Sequence, residues 1–285
     1  MGKKLQILVC CHKADSYIRT DEPYLPVQVG KALHPELDLG FQNDNVGDNI
    51  SEKNACWCEL TALYWGWKNL NDVKYLGLCH YRRYFDYDIN DNNIDRLLKD
   101  HDIVVVKQTN KMWSKFERPR NLMNTTSVED YFLYMDTMLA MHPEYKKEII
   151  SYYYNSRKSY PYTMFITTKE VYDDFCEFIF PVFEEIEKRS KEHGYTRQKR
   201  FIAYFGEYSL GLYILCKKLR PKSLPLKFVG QEQIKPNMFK TICKELIRFI
   251  YIMVDNMRPS PKDVVVPDAV KVGFKADNIE LRALK

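Results

Sequence analysis

Residues 75–85 read YLGLCHYRRYF. The opening run from Tyr75 to Cys79 has the short, unbroken apolar character of a buried strand. The chain then sets His80, Tyr81, Arg82 and Arg83 in a row. Ligands of α/β proteins gather at strand ends of this kind. Guanidinium forks match phosphate oxygens, and an imidazole and a phenol add further donors. Neighbouring residues on an extended chain point to opposite sides, so both arginines can face one ligand only across a turn. The competing reading is a pair of surface arginines that merely follow a strand.

Working outward, Lys4–Cys11 reads as a first strand that ends in His12 and Lys13. Pro26–Leu33 reads as a short helix and Leu37–Phe41 as an extended stretch. A polar loop, QNDNVGDNISEKN, fills 42–54 and is a turn cluster or a ligand-binding loop. Within it Asn49, with Glu52 three residues on, signals a helix start. The expected helix places Trp57, Leu60, Tyr64 and Trp67 on one buried face. Glu59 lies among Cys56, Cys58, Leu60 and Leu63, company in which a carboxylate needs a donor or a chemical task. Downstream come a helix from Ile94 to Leu98 and a β-branched strand over Asp102–Val106. This β-α-β-α-β order predicts an α/β fold with a mainly parallel central sheet.

The second half begins with an irregular stretch, Lys107–Thr126, that carries Trp113, Arg118 and Arg120 and reads as a mobile lid. Helical patterning over 127–152, a strand at Thr163–Thr167 and a long amphipathic helix at Lys169–Arg189 follow. A last amphipathic helix spans 240–258, ahead of an end read as weakly structured. There is no internal repeat.

Composition narrows the classes of function. The 285 residues are 45% hydrophobic and 28% charged, as in ordinary globular proteins, and include 21 Tyr. The apolar run Phe249–Val254 is far too short to cross a bilayer, and the start reads as a strand rather than a signal peptide. Eight cysteines without a CxxC pair argue against a zinc knuckle and suit a thiol-reduced cytoplasmic setting. Neither a GxSxG elbow nor a P-loop is present, and the isolated histidines, His34 among them, read as structural or solvent-facing. The net charge is +5, and the 188–222 segment concentrates ten Lys/Arg against Glu192 and Glu207. Such a zone suits an anionic partner or is a solvated face. Nucleic acid is the partner of another class to weigh, and the acidic Asn/Asp loop beside the arginines speaks against it. Asp86 and Asp88 could ligate a divalent metal, but they lie beyond the strand end.

The strings VQVGKAL, DNISEKNACWCELTALYWGWKN and YLGLCHYRRYF together resemble a bacterial glycosyltransferase family. That family was first catalogued as a domain of unknown function and occurs in capsule, exopolysaccharide and O-antigen gene clusters. Its members are linked to galactofuranosyl transfer from UDP-galactofuranose. The resemblance covers about residues 4–230 and is densest over 27–85. It implies a GT-A-like domain over 1–230, with a donor-nucleotide half (1–106) and an acceptor half (107–230). Residues 231–285 form a helical extension and tail.

On the donor side the resemblance implies His12, Lys13, Gln28, Gly30, Asp44, Asn45, Asn49, Lys53 and Asn54, with His80, Tyr81, Arg82 and Arg83 on the diphosphate. Ordinary GT-A enzymes carry an Asp-x-Asp metal motif where this chain has its four-residue cluster. The expectation is therefore metal-independent transfer with no cofactor, manganese or magnesium being the alternative. Glu207 is the first choice for the base that deprotonates an acceptor hydroxyl, with Glu59 and Asp48 as rivals. Met164, Arg200 and Tyr204 are assigned to the acceptor, a glycan or an undecaprenyl-diphosphate-linked chain. The last helix either attaches peripherally to the inner face of the plasma membrane or packs on its own domain.

Overall fold

A computed structural model describes residues 3–107, 114–156, 160–191, 199–230 and 238–285. Trp113 and residues 192–198 of the expected basic zone lie outside the described residues. The strands are β1 (Leu5–Cys11), β2 (Tyr24–Gln28), β3 (Gln42–Asn43), β4 (Tyr75–His80), β5 (Arg83–Phe85), β6 (Ile103–Val106), β7 (Phe165–Thr168), β8 (Pro221–Leu224) and β9 (Leu226–Phe228). They form one sheet of order β3-β2-β1-β4-β7-β6-β8, with β5 and β9 paired off the edge of β4. Along that path only β7 runs against the others. The architecture is thus α/β with a mostly parallel central sheet.

The apolar runs are continuous because both sheet faces are covered. On β1, Leu8 and Cys10 enter a large core on one face, while Leu5, Ile7 and Val9 enter a smaller core on the other. On β6 the same alternation sends Ile103 and Val105 one way and Val104 and Val106 the other. Gly77 lets β7 approach β4 closely: a Cβ there would meet the Phe165 carbonyl oxygen at 2.7 Å.

The helices are α1 (Asn54–Trp57), α2 (Leu60–Asn69), α3 (Ile94–Leu97), α4 (Glu117–Thr125), α5 (Val128–Met141), α6 (Lys146–Tyr154), α7 (Lys169–Arg189), α8 (Phe201–Cys216), α9 (Met238–Met257) and α10 (Asp268–Ala276). The large core is built by α2, α5, α6, α7 and α8 over the sheet. Trp57 and Trp67 stack on either side of Phe180, with ring centroids 5.9 and 5.6 Å away.

Four expectations need correcting. The helix read over Pro26–Leu33 is instead β2 and a turn. Pro26 fits the strand because β3 pairs only from Val27 onward, so its missing N–H leaves that ladder intact. Leu37–Phe41 is not a strand; the short β3 follows it at Gln42–Asn43. The lid is replaced, over 117–125, by α4. There Arg118 is buried and its guanidinium donates to the carbonyls of Tyr152 and Ser156, which pins α4 to α6. The end read as weakly structured carries α10 and sends Val264, Val266, Phe274 and Leu284 into the large core. The buried Asp136 carboxylate secures it by accepting from Arg189 Nη2 and from the backbone N–H groups of Arg282, Ala283 and Leu284.

A second buried carboxylate fixes the mouth of the sheet. Asp44 is completely buried and accepts from Gly30 N (2.8 Å), Lys31 N (3.1 Å) and Thr61 Oγ1 (2.8 Å), as well as from Ser51 Oγ. One side chain thereby joins the turn after β2, the 3₁₀ turn Ser51–Lys53 and the start of α2. Asp44→Ala strands four donors and is expected to cost roughly 3–4 kcal/mol. Urea unfolding measures it, with Asn45→Ala, at an exposed position, as a control expected within about 0.5 kcal/mol of wild type. A loss at Asp44 no larger than that of the control would remove the carboxylate from this role.

Candidate active site

β1 and β4 run parallel with Cys10 opposite His80, so the His80 cluster leaves the sheet at its C-terminal edge. Tyr81 and Arg82 form a two-residue turn, and β5 returns with Arg83 directly opposite His80. Residues facing each other on antiparallel strands share a side of the sheet. The turn therefore supplies what the quoted sequence required, but for only one of the two arginines.

Arg82 turns toward the loop after β1. Its Nε and Nη2 donate to Asp15 Oδ2 at 2.9 and 2.7 Å. Tyr17 N also donates to Asp15, and these bonds hold the Asp15 carboxyl below its usual range. Arg83 lies with its guanidinium 4.4 Å from the centre of the Tyr162 ring and has no ion-pair partner among the described residues. Tyr162 serves the cluster twice, since its carbonyl accepts from His80 Nε2 at 2.7 Å. A carbonyl cannot donate, so the proton of neutral His80 sits on Nε2. Burial pushes the His80 pKa down to about 4, and the imidazole is uncharged at neutral pH. Tyr162 and Thr163 hold positive φ (72° and 50°), the strained geometry typical of functional segments.

The opposite wall comes from α8 and from the junction of α1 with α2. The sequence suggested one helix there; the structure breaks it at Cys58, with φ 50° and ψ −123°. That region is comfortable only for glycine. Two donors grip the Cys58 carbonyl and hold the break: Asn54 Nδ2 at 2.8 Å and Thr61 N at 3.1 Å. The Cys58 thiol accepts from Arg200 Nε at 2.8 Å, and the next residue is Glu59. Arg200, the residue before α8, and Tyr204 and Glu207 on α8 face the same space.

Together these walls enclose a cavity of ≈ 630 Å³, lined by His12, Asn54, Glu59, the four residues His80 to Arg83, Arg200, Tyr204 and Glu207. Its electrostatics pair two acids with two cations. Burial raises the Glu59 pKa, with Arg200 and Arg83 pulling it back. Glu207 opens onto the cavity and is exposed there. Partial desolvation by the cavity walls, with Glu59 nearby, pushes its pKa up to about 7 against Arg83 and Arg200. His12 is lowered by burial and by the cations Lys13, Arg200 and Arg82, and its ring meets Tyr81 edge-on at 5.4 Å.

The structure brings ten of the expected residues to this cavity and places the rest elsewhere. Lys13 is exposed beside it. Gln28 clamps the next loop, donating to Leu37 O and accepting from Leu39 N. Gly30, at φ +72°, leaves room for Asn54 and binds Asp44. Asn45 is exposed; Asn49 bonds its own turn through Gly47 O and Ser51 N. Asp48 accepts from Tyr64 outside the cavity. Lys53 pairs with Glu187 at 2.7 Å. Met164 is fully buried in the smaller core. Glu207 sits in the second turn of α8 rather than at its start.

His34 and Cys58 line the cavity without having been singled out. The helix-breaking conformation at Cys58 has no residue-level signal, since nothing in the sequence offers a glycine there. Asp86 and Asp88 open onto a separate cavity of ≈ 320 Å³ with Tyr17 and Lys227. The strand end itself presents cationic donors, which do not fit a divalent metal. Among the described residues no three His, Cys, Asp or Glu side chains converge as ligands.

Parallel strands that end in a polar, charge-balanced cleft make this an α/β protein with a candidate ligand site at the C-terminal edge of its sheet. The chain belongs to the family described as a domain of unknown function, DUF4422, whose profile matches residues 6–218. No curated protein matches it. Among solved structures it is similar to the apo structure of WbbM, a bifunctional glycosyltransferase, at a TM-score of 0.70 and 25% identity over 82% of this chain. The match covers 47% of the WbbM chain, so this protein spans about half of that enzyme. The fold is GT-A-like.

The Cys58 geometry yields a stability test. Cys58→Gly relieves the backbone strain and is expected to leave stability unchanged or raise it by about 1 kcal/mol. Cys58→Val, β-branched at positive φ, is expected to lose about 2 kcal/mol or more. Equal losses in both variants, read from urea midpoints, would show that the break carries no strain.

Proposed function

We propose that the protein transfers a sugar from a UDP-sugar to a glycan hydroxyl, with inversion and without a metal ion. One observation carries this reading. Arg83 and Arg200, neither in an ion pair among the described residues, share a cavity with two carboxylates whose pKa values are raised. The similarity to WbbM, titled a glycosyltransferase, and the family strings in the sequence support it.

In the proposed step the acceptor oxygen attacks the anomeric carbon while the bond from that carbon to the UDP β-phosphate oxygen breaks. The acceptor proton passes to the Glu207 carboxylate. The electron pair leaves with UDP, whose added charge meets the Arg83 and Arg200 guanidiniums in place of a cation. His80, neutral and with its donor committed to Tyr162, offers only Nδ1 as an acceptor, which suits a sugar hydroxyl. Arg82, tied to Asp15, shapes the turn. Glu59 lies near Arg200 and Arg83 without pairing to either and accepts from a sugar hydroxyl. Galactofuranose is the proposed sugar, on the strength of the family strings, and a glycan on undecaprenyl diphosphate at the inner face of the plasma membrane is the proposed acceptor.

UDP release from UDP-galactofuranose, compared with UDP-galactopyranose, tests the donor. Turnover is expected to survive exhaustive EDTA treatment and to fall at least about tenfold in Arg83→Ala, the loss of one or two charge-assisted bonds. Activity that vanishes with EDTA and returns with manganese would overturn the metal-free reading. A preference for the pyranose would overturn the furanose assignment.

A base must be deprotonated to act, and the Glu207 pKa is raised. Rate is therefore expected to be low at acid pH and to climb through about pH 7. Glu207→Gln is expected to lose that limb and about 10²–10⁴ of the rate. Wild-type turnover in a folded Glu207→Gln protein would pass the role to Glu59.

A further inference from the structure

The strongest unexplained feature lies away from the cavity, on α9. Its 20 residues span about 30 Å. Stepping about 100° per residue, Phe239, Ile242, Leu246, Phe249, Ile250 and Met253 fall within one sector of the helix. All are exposed, from 75% at Phe239 to 51% at Met253. The opposite side holds Arg248, Ile252 and Asp255, and through it the helix meets the body. Asp255 is buried and accepts from Arg120 Nη2 at 2.9 Å, Arg248 lies 3.9 Å from Glu117, and Ile252 is buried.

This is an amphipathic helix mounted in reverse. Its polar edge is docked on the protein and its apolar face points outward, whereas a helix packed on its own domain buries the apolar stripe. Exposed apolar patches of such extent mark interaction surfaces.

Charge selects the occupant. The carboxylates of the segment are engaged: Glu245 with Arg248, Asp255 with Arg120 and Asp263 with Lys146. Exposed Val254, Ile247 and Tyr251 widen the apolar face on one side; Lys244, about 20° beyond Tyr251, and Arg258, just past the last turn, flank it there and have no ion-pair partner among the described residues. A broad apolar face with unpaired cations along its edge fits an anionic lipid surface, the apolar side chains entering the acyl boundary and the cations meeting headgroup phosphates. No described helix is long and apolar enough to cross a membrane. We infer that α9 lies in the plane of an anionic bilayer surface and seats the protein there. This inference stands on the α9 surface alone and goes beyond the transfer reaction.

Flotation of the full chain with vesicles of phosphatidylcholine, alone or mixed with phosphatidylglycerol, tests it. The wild type is expected to float with the mixed vesicles and far less with the neutral ones. Leu246→Glu/Ile250→Glu is expected to weaken that binding at least about tenfold by removing two buried apolar side chains. Lys244→Glu/Arg258→Glu is expected to abolish the preference for anionic lipid. Because these positions are exposed, circular dichroism and thermal unfolding should match wild type in both variants. UDP release in vesicle-free solution is measured on the same samples, so loss of catalysis and loss of binding are read separately. Absence of wild-type flotation, or flotation unchanged in the apolar variant, would overturn the inference. So would a concentration-dependent dimer, seen by light scattering, that Leu246→Glu/Ile250→Glu dissolves, because the face would then belong to a second copy.

Discussion

The buried carboxylate of Asp44 is the constraint from which the candidate site follows. A carboxylate removed from water must be compensated by donors, and Asp44 recruits four from three separate segments. Once the Thr61 hydroxyl is tied to Asp44, the Thr61 N–H holds the Cys58 carbonyl, and with Asn54 Nδ2 it imposes the break between α1 and α2. The break turns Cys58 and Glu59 into the cavity, where the thiol meets Arg200, the residue before α8. A charge that touches no ligand thus sets the place of groups that line the cleft.

The two arginines of the opening motif have different tasks despite being neighbours. Hydrogen bonding to Asp15 commits Arg82, whose side chain is one-third exposed beside an almost buried carboxylate. Arg83 is held by an aromatic face, a contact that orients a guanidinium without neutralising it. Its charge remains available to the cavity, together with that of Arg200. Opposed to them are Glu59 and Glu207, and Glu59 adds to the desolvation that raises the Glu207 pKa to about 7.

Elements with one dominant local signal were legible in the sequence. The apolar runs of β1, β4 and β6 and the amphipathic α7 lie where patterning put them, because burial on two faces or one leaves a periodic trace. The four-residue cluster at 80–83 was recognisable for the same reason, as charge at the end of such a run. Pro26 misled because β2 tolerates proline at a position where its β3 neighbour does not yet pair. The Asn/Asp loop misled more deeply. Its polar residues look alike in sequence, yet one is a buried hub, others close their own turns, and Asn54 alone reaches the cavity. Which polar group faces a ligand and which satisfies the backbone depends on tertiary partners that local pattern does not encode. The Cys58 break and the outward mounting of α9 are likewise set by partners far along the chain.

The latch at Asp136 has a practical consequence. Three consecutive backbone N–H groups near residue 283 complete the solvation of a carboxylate inside the main core, and five apolar side chains of the same tail fill that core. Chain deletion from 259 onward therefore exposes a buried charge and opens voids beneath α5, in addition to removing surface. A truncated protein would report on folding before it reported on anything α9 or the cavity does. An affinity tag fused directly after Leu284–Lys285 would pull on the same latch. Point substitution is the tool this architecture permits, and a tag belongs at the opposite terminus, where the first residues precede β1.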